Sequence, residues 1–300
     1  MATTKIIRIM NVVYDDYQSK ANILALFKTT NSASSEIVIF DKTSVGWVRD
    51  FLFTNNCISS KVEVITMNAN SNLLDTVVEW SKIRCLSKSQ WVQVLAEDDA
   101  FLMIQEEVSY ENSYVTMYLC PMVYLYKDKL LLENQVNFEK KINANNINEA
   151  FKKNQTVGDS SWHALIRGDV FAIYCEWTTL LPIVLWSVSN QAVWTALHFG
   201  AIDKLRSFVF CKDSDKWSVS NQAKFLMEKQ YTDNFGRADL YVWDAKLYYL
   251  SCVINLMWLQ VNYPVATSNR LIVKALDLLS YRPSIRGLFE FKWQSELYNE

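Results

Sequence analysis

The sequence predicts an α/β fold in which a mostly parallel sheet carries helices on both faces and a helical extension follows at the C-terminal end. Two observations carry this. Between Lys5 and Ala96 four strand-like runs alternate with three helical patterns, the β-α-β-α-β-α-β order of a parallel sheet. The composition is that of a chain with a large core: half of the 300 residues are hydrophobic, with 11 Trp, 15 Tyr and 15 Phe, which excludes intrinsic disorder.

Taken in order, Lys5 to Val13 is rich in Ile and Val and reads as the first strand. Tyr14-Asp15-Asp16 is turn-like, and Tyr17 to Thr29 is helical with apolar Ile23, Leu24, Leu26 and Phe27; the polar Asn31 to Ser35 ends it. Glu36 to Asp41 is a second buried strand that ends in a carboxylate, and Val45 to Asn55 is a helix. Lys61 to Thr66 alternates as a third strand, and Ser71 to Leu86 is a helix capped by Ser71 or Asn72. Trp91 to Ala96 is the fourth strand, which delivers Glu97, Asp98 and Asp99 at its end.

Beyond Phe101, Met103 to Val108 reads as a short helix, Tyr114 to Cys120 and Met122 to Tyr126 as strands, and Lys127 to Lys129 as a turn leading to Leu130 to Leu132. The polar tract Asn134 to Asn148 reads as a solvated loop and helix start, or as a lid. Ser189 to Gly200 is helical, with Val193, Trp194 and Leu197 apolar and His198 structural. From Ala238 to Gln260 a stripe of Leu240, Trp243, Leu247, Leu250, Ile254, Met257 and Trp258 is expected to pack on the parent domain, and Ser268 to Ser280 is a second helix. The chain divides at 1–210 and 211–300.

Charge and cysteine usage narrow the function. Thirty Lys plus Arg against 32 Asp plus Glu leave no basic field, which argues against nucleic acid as the main partner. Six widely spaced cysteines without a CxxC pair fit a reducing compartment. Arg8 interrupts the first apolar run, so no secretory leader is read, and no run is long enough to read as a membrane span. The expectation is a cytoplasmic protein able to sit peripherally at the inner face of a membrane.

Ligands of open parallel sheets bind beyond the carboxyl ends of the strands. Three of those ends carry polar groups here: Asn11 and Tyr14, then Asp41, then Glu97 to Asp99. Three adjacent carboxylates repel one another and are easiest to understand around a divalent cation such as Mg²⁺ or Mn²⁺; the plainer reading is a solvated acidic loop. No GxGxxG and no GxxxxGK[ST] occurs, so a cation on the acidic trio is the available means of neutralising a diphosphate.

The first strand with its polar turn, then Glu36-Ile-Val-Ile-Phe-Asp41-Lys-Thr-Ser44, then Leu95-Ala-Glu-Asp-Asp-Ala-Phe101, resembles the nucleotide-sugar half of GT-A (Rossmann-like) glycosyltransferases, particularly the family-2-like group. The resemblance covers roughly residues 5 to 210. It implies a metal-dependent transfer from a nucleotide-sugar donor to a carbohydrate or lipid-linked glycan, in a bacterial polysaccharide-assembly role. Asp41 would face the base, Asn11 and Tyr14 would line the base or ribose pocket, Glu97 would stand in the donor site, Asp98 would contact ribose or metal, and Asp99 would hold Mn²⁺ or Mg²⁺ in a DXD-like motif. Lys42 stands where the family has a second acidic residue or Asn. Gly158-Asp-Ser-Ser-Trp-His-Ala-Leu-Ile-Arg-Gly-Asp-Val-Phe171 resembles the acceptor-side segment, with Asp159, Trp162 and His163 facing the sugar or acceptor. A histidine satisfied by a neighbour is an equal alternative for His163.

One departure matters. Inverting transfer needs a general base, and Ser189-Asn190-Gln191 stand where the family has a carboxylate. Asp159, Asp169 and Glu176 are the substitutes, although Glu176 lies in an apolar run as a buried, paired Glu would, and Asp169 reads as a helix-start residue. The competing readings are a non-catalytic binding or scaffold protein of the same fold, and a metal-dependent phosphotransferase built on Glu97 to Asp99.

Overall fold

The computed structural model describes residues 5–29, 35–43, 45–68, 73–96, 99–101, 114–120, 122–126, 129–132, 141–148, 164–180, 187–205, 210–213, 250 and 252–280. Its first sheet has seven strands: β1 (Lys5–Val12), β2 (Ser35–Asp41), β3 (Val62–Thr66), β4 (Gln90–Ala96), β6 (Val115–Leu119), β9 (Leu165–Arg167) and β10 (Ala201–Lys204). They lie in the order β10-β6-β9-β4-β1-β2-β3. All neighbours are parallel except β9, which runs antiparallel to both β4 and β6. A second sheet joins β5 (Asp99–Phe101), β11 (Phe210–Asp213), β7 (Met122–Tyr126) and β8 (Lys129–Leu132).

The central strands are covered on both faces, and the period of two shows it. Ile7 and Ile9 of β1, with Val38 and Phe40 of β2, enter one core; Met10 and Val12, with Ile37 and Ile39, enter the other. The second core is closed by α1 (Tyr17–Thr29) and α2 (Trp47–Thr54) through Ile23, Leu26, Val48 and Leu52. Asp16 caps α1, its Oδ1 accepting the Ser19 N–H at 2.7 Å. The first core takes α3 (Leu73–Arg84), α4 (Gly168–Leu180), α5 (Ser187–Phe199), α6 (252–262) and α7 (Ser268–Ser280). Residues of α6 and α7, including Leu256, Leu259, Leu271 and Leu278, share that core with the sheet.

The fold class is as expected, and two local expectations change. Part of the polar tract is not a solvated loop: Ile142, Ala144 and Ile147 are buried, and Ile142 exchanges both backbone hydrogen bonds with Ile202 at 2.9 and 2.8 Å. Alternating Asn and apolar residues let this segment extend the sheet while its amides make local turns. Of the described part of the expected C-terminal stripe, Trp258 packs on the core as expected and the rest faces outward. Leu250, Ile254 and Met257 are 41 to 54% exposed, and α6 packs instead through Cys252, Val253, Leu256 and Leu259. Residues 250–262 carry no charge, so periodicity alone does not say which face is inside.

Among the described residues no helix is long and apolar enough to cross a membrane. Cys57, Cys85, Cys120, Cys175 and Cys252 form no disulfide.

Candidate functional site

The parallel registers bring the strand ends together. Asn11 of β1 lies between Phe40 of β2 and Ala96 of β4, and Val12 is level with Asp41. Asn11, Asp41 and the residue leading into the acidic trio thus share the carboxyl edge of adjacent strands, where a ligand of this architecture binds.

Asn11 has an unmet need there. Its Oδ1 is buried and accepts no hydrogen bond. A buried acceptor left without a donor costs about 1–3 kcal/mol, and a ligand N–H or O–H at the edge would satisfy it. Tyr14, in the loop after β1, is 64% exposed and presents its ring to solvent, as does Tyr17 at the start of α1. The loop also carries the Asp15–Lys20 ion pair at 2.5 Å, and Lys20 stacks over Trp47 at 4.9 Å from the ring centroid.

Asp41 turns inward. It is wholly buried, and its carboxylate holds the loop that follows it: Oδ1 accepts the Thr43 N–H at 3.0 Å and the Thr43 hydroxyl at 2.5 Å, and Oδ2 accepts the Val48 N–H at 3.3 Å. The reason lies at the start of α2. Gly46 occupies the N-cap position in the left-handed region, with φ 62° and no side chain to cap the helix. Asp41 supplies the missing acceptor from the strand, with its negative charge at the positive end of the helix. In this geometry Asp41 shapes the β2–α2 loop, and its three hydrogen bonds come from Thr43 in that loop and from Val48 in the first turn of α2.

Asp99 opens β5, whose strand pairs with β11. Glu97, Asp98, Asp159, Trp162 and His163 lie outside the described residues, as do the expected helix at 103–108, the capping residues Ser71 and Asn72, and the helical pattern before residue 250. Carboxylate oxygens of the trio are a donor set of the kind Mg²⁺ and Mn²⁺ take.

Glu176 is brought to a different place. α4 starts at the opposite, amino edge, where a Cβ on Gly168 would lie 2.6 Å from the Ser87 carbonyl. Eight residues further on, at 1.5 Å per residue, Glu176 stands roughly 12 Å up the helix, about half the length of β4. The burial suggested by its apolar neighbours is corrected: Glu176 is exposed, and its Oε2 accepts the Tyr263 hydroxyl at 2.5 Å. That bond, together with burial, pushes the Tyr263 phenol up to about 12. Asp169 sits in the first turn of α4 and pairs with Arg167 at 2.6 and 3.0 Å, as a helix-start residue.

α5 does reach the carboxyl edge. Gly200 ends it so close to Tyr114 that an added Cβ would lie 2.1 Å from the Tyr114 carbonyl, at the start of β6. Because β6 runs the same way as β4, this end marks the amino edge, and the helix spans about 20 Å back to Ser187 on the other side. Gln191, in its second turn, is wholly buried and accepts the indole N–H of Trp177 through Oε1. His198, near the amino edge, is buried as a structural residue, its Nε2 2.7 Å from the Tyr263 carbonyl. Burial holds its pKa below the ordinary 6.5 against the opposing effect of that carbonyl.

Sequence reasoning missed the inward turn of Asp41 and the role of Gln191. Gly46, an N-cap without a side chain seven residues before Phe53, is the signal that α2 needs a cap from elsewhere. The lone Asn255 between Leu256 and the apolar Ile254 marks the seam against α5.

No protein-family model matches the sequence, and no curated protein aligns with it. Solved structures of similar architecture include TarS of S. aureus. Its fragment 1–349 matches with a TM-score of 0.56 at 10% identity, covering 97% of this chain and 77% of that one. The same fragment in complex with UDP-GlcNAc matches with a TM-score of 0.54 at 9% identity, covering 97% and 77%, and the UDP complex with 0.52 at 10%, covering 98% and 78%. Against a longer TarS structure the TM-score is 0.51 at 9% identity, and this chain spans 46% of that length. The architecture is GT-A-like, as in these structures.

Proposed function

We propose that the protein is a glycosyltransferase that uses a nucleotide-sugar donor bound at the carboxyl edge of β1, β2 and β4. The observation that carries this is the register placing Asn11 and Asp41 beside Ala96, the last strand residue before Glu97, Asp98 and Asp99. The GT-A-like architecture supports it, and the UDP and UDP-GlcNAc complexes of TarS make a uridine diphosphate sugar the first donor to test.

In this reading the Asn11 Oδ1 accepts a hydrogen bond from the base or ribose, and Tyr14 offers a stacking face. Asp41 acts through the loop it pins, holding Thr43 and the start of α2 beside the nucleotide. Glu97 and Asp98 complete the donor pocket. Asp98 and Asp99 are proposed to hold Mn²⁺ or Mg²⁺, which when bound would offset the negative charge of the departing diphosphate. The acceptor hydroxyl attacks the anomeric carbon, its proton passes to a carboxylate, and the bond from that carbon to the diphosphate oxygen breaks. Asp159 is the proposed base and His163 a hydrogen-bonding partner of the acceptor. Glu176, engaged with Tyr263 part-way down α4, holds the C-terminal helices. The acceptor is proposed to be a carbohydrate or lipid-linked glycan, reached by a protein working at the cytoplasmic face of a membrane.

The scaffold reading keeps one observation in its favour. The second turn of α5 presents Gln191, a neutral amide already bonded to Trp177, where an inverting enzyme of this resemblance has its base. Incubation with UDP-GlcNAc, Mn²⁺ and a panel of glycan acceptors separates the two: transfer or donor hydrolysis that disappears in Asp99→Ala supports the enzyme, and binding without any turnover supports the scaffold.

A further inference from the structure

Three helices meet at Gln191. Its side chain is held by Trp177 of α4, and its backbone carbonyl accepts Nδ2 of Asn255 from α6 at 3.4 Å. The same Nδ2 lies 3.2 Å from Thr195 Oγ1, one turn further along α5. Asn255 is wholly buried, and its Oδ1 accepts nothing. Among Cys252, Val253, Leu256 and Leu259 it is the one amide in an otherwise apolar face.

A leucine would suit that face better if burial were all that mattered, because a half-satisfied amide is costly in an apolar seam. What an amide adds is register. Sliding α6 by one turn would take Asn255 off Gln191 and Thr195 and leave its N–H groups against hydrocarbon, in the manner of the single Asn that fixes the register of a coiled coil. α6 needs such a device. It carries no charge, and its outer face repeats the apolar character of the inner one, with Leu250, Ile254, Met257 and Val261 exposed at a 4-3-4 spacing.

The two halves of α5 are anchored differently. Its lower half is tied to the sheet by Thr116, whose Oγ1 lies 2.7 Å from the Ala196 carbonyl and 3.1 Å from that of Ala201. Tyr263 fixes α6 at the same end, its carbonyl on His198 and its hydroxyl on Glu176. The upper half, which leads towards the carboxyl edge, is held by Trp177 and Asn255 about 14 Å above Gly200, level with Glu176. We infer that Asn255, acting with Trp177 through Gln191, is a positioning residue that fixes the start of α5 at the reaction edge, so that the C-terminal helices set the geometry of transfer.

This rests on the glycosyltransferase reading, and the test separates the two. Full-length wild type, Asn255→Leu and Trp177→Phe, with Ile254→Ala on the exposed side as control, are compared by hydrogen exchange over residues 191–195 and by UDP-GlcNAc turnover. Leucine keeps the seam packed, and phenylalanine keeps a ring beside Trp258, which lies 5.4 Å from the Trp177 ring. Both variants are expected to fold, to exchange at least tenfold faster over the upper half of α5, and to lose about tenfold in kcat with donor KM within twofold of wild type. Ile254→Ala is expected to match wild type. Unchanged exchange, or faster exchange with unchanged kcat, overturns the inference. A wild type that neither binds nor turns over the donor overturns the glycosyltransferase reading instead, and the exchange data still decide whether Asn255 positions α5.

Discussion

Replacing Asp41 distinguishes a carboxylate that builds the loop from one that reads the ligand directly. In Asp41→Ala three donors lose their acceptor: the Thr43 N–H, the Thr43 hydroxyl and the Val48 N–H, around a side chain with no solvent exposure. Hydrogen bonds to a charged group contribute about 1.5–3 kcal/mol each, and loss of a helix cap about 1 kcal/mol. These overlap, and water reaching the loop recovers part, so a net loss of roughly 3–5 kcal/mol is expected. For a chain of this size each kcal/mol moves Tm by about 2–4 °C, giving a fall of roughly 6–20 °C. Asp41→Asn keeps one oxygen for Thr43 but sets an amide N–H against that of Val48, so it should lie between wild type and Ala. Thermal unfolding by circular dichroism in ligand-free buffer gives the answer. A Tm for Asp41→Ala within 2 °C of wild type, with only nucleotide affinity lost, would refute the capping role.

Other perturbations follow from the same geometry. Asn11→Leu removes a buried acceptor that has no protein donor, so Tm is expected to hold or rise by a few degrees while UDP affinity measured by calorimetry falls about tenfold, or about 1.4 kcal/mol; unchanged affinity would remove Asn11 from the donor site. Glu176→Gln keeps an acceptor for Tyr263 and is expected to leave kcat within threefold, whereas a hundredfold loss would restore Glu176 as the base. His198 contributes a pH dependence of defined sign. The unfolded chain protonates near the ordinary 6.5, and burial holds the folded value lower, so within that window the unfolded state binds more protons. Stability is therefore present above about pH 6.5 and lost as pH falls through the folded value. Urea unfolding at several pH values should show a smaller acid slope in His198→Gln than in wild type, and identical slopes would exclude His198 as the source.

The strands and helices up to Ala96 were legible because each follows one period: β-branched runs for β1, β2 and β4, and a helix over Tyr17 to Thr29 that matches the observed bounds. β9 lies in the segment 158–171, which was read only through its resemblance. Its antiparallel place between β4 and β6 depends on three residues meeting partners some 75 and 50 positions away, and local pattern says nothing of that. The common edge of Asn11, Asp41 and Ala96 followed from strand order. The direction of Asp41 did not, because a carboxylate at a strand end looks the same whether it faces a ligand or an uncapped helix. Glu176 misled through its neighbours: Tyr174, Cys175, Trp177 and Thr178 are buried, yet Glu176 takes the one outward direction left on that turn. The face of α6 was ambiguous for the complementary reason, that both sides are apolar.

The most direct test of the donor site is calorimetric titration of UDP-GlcNAc into wild type and Asp99→Ala, each with and without Mn²⁺. The account predicts saturable binding to wild type that strengthens at least tenfold with Mn²⁺, and no Mn²⁺ effect in Asp99→Ala with the fold intact by circular dichroism. Mn²⁺-dependent binding that survives unchanged in Asp99→Ala would contradict it, as would a wild type that binds no nucleotide sugar under any of these conditions.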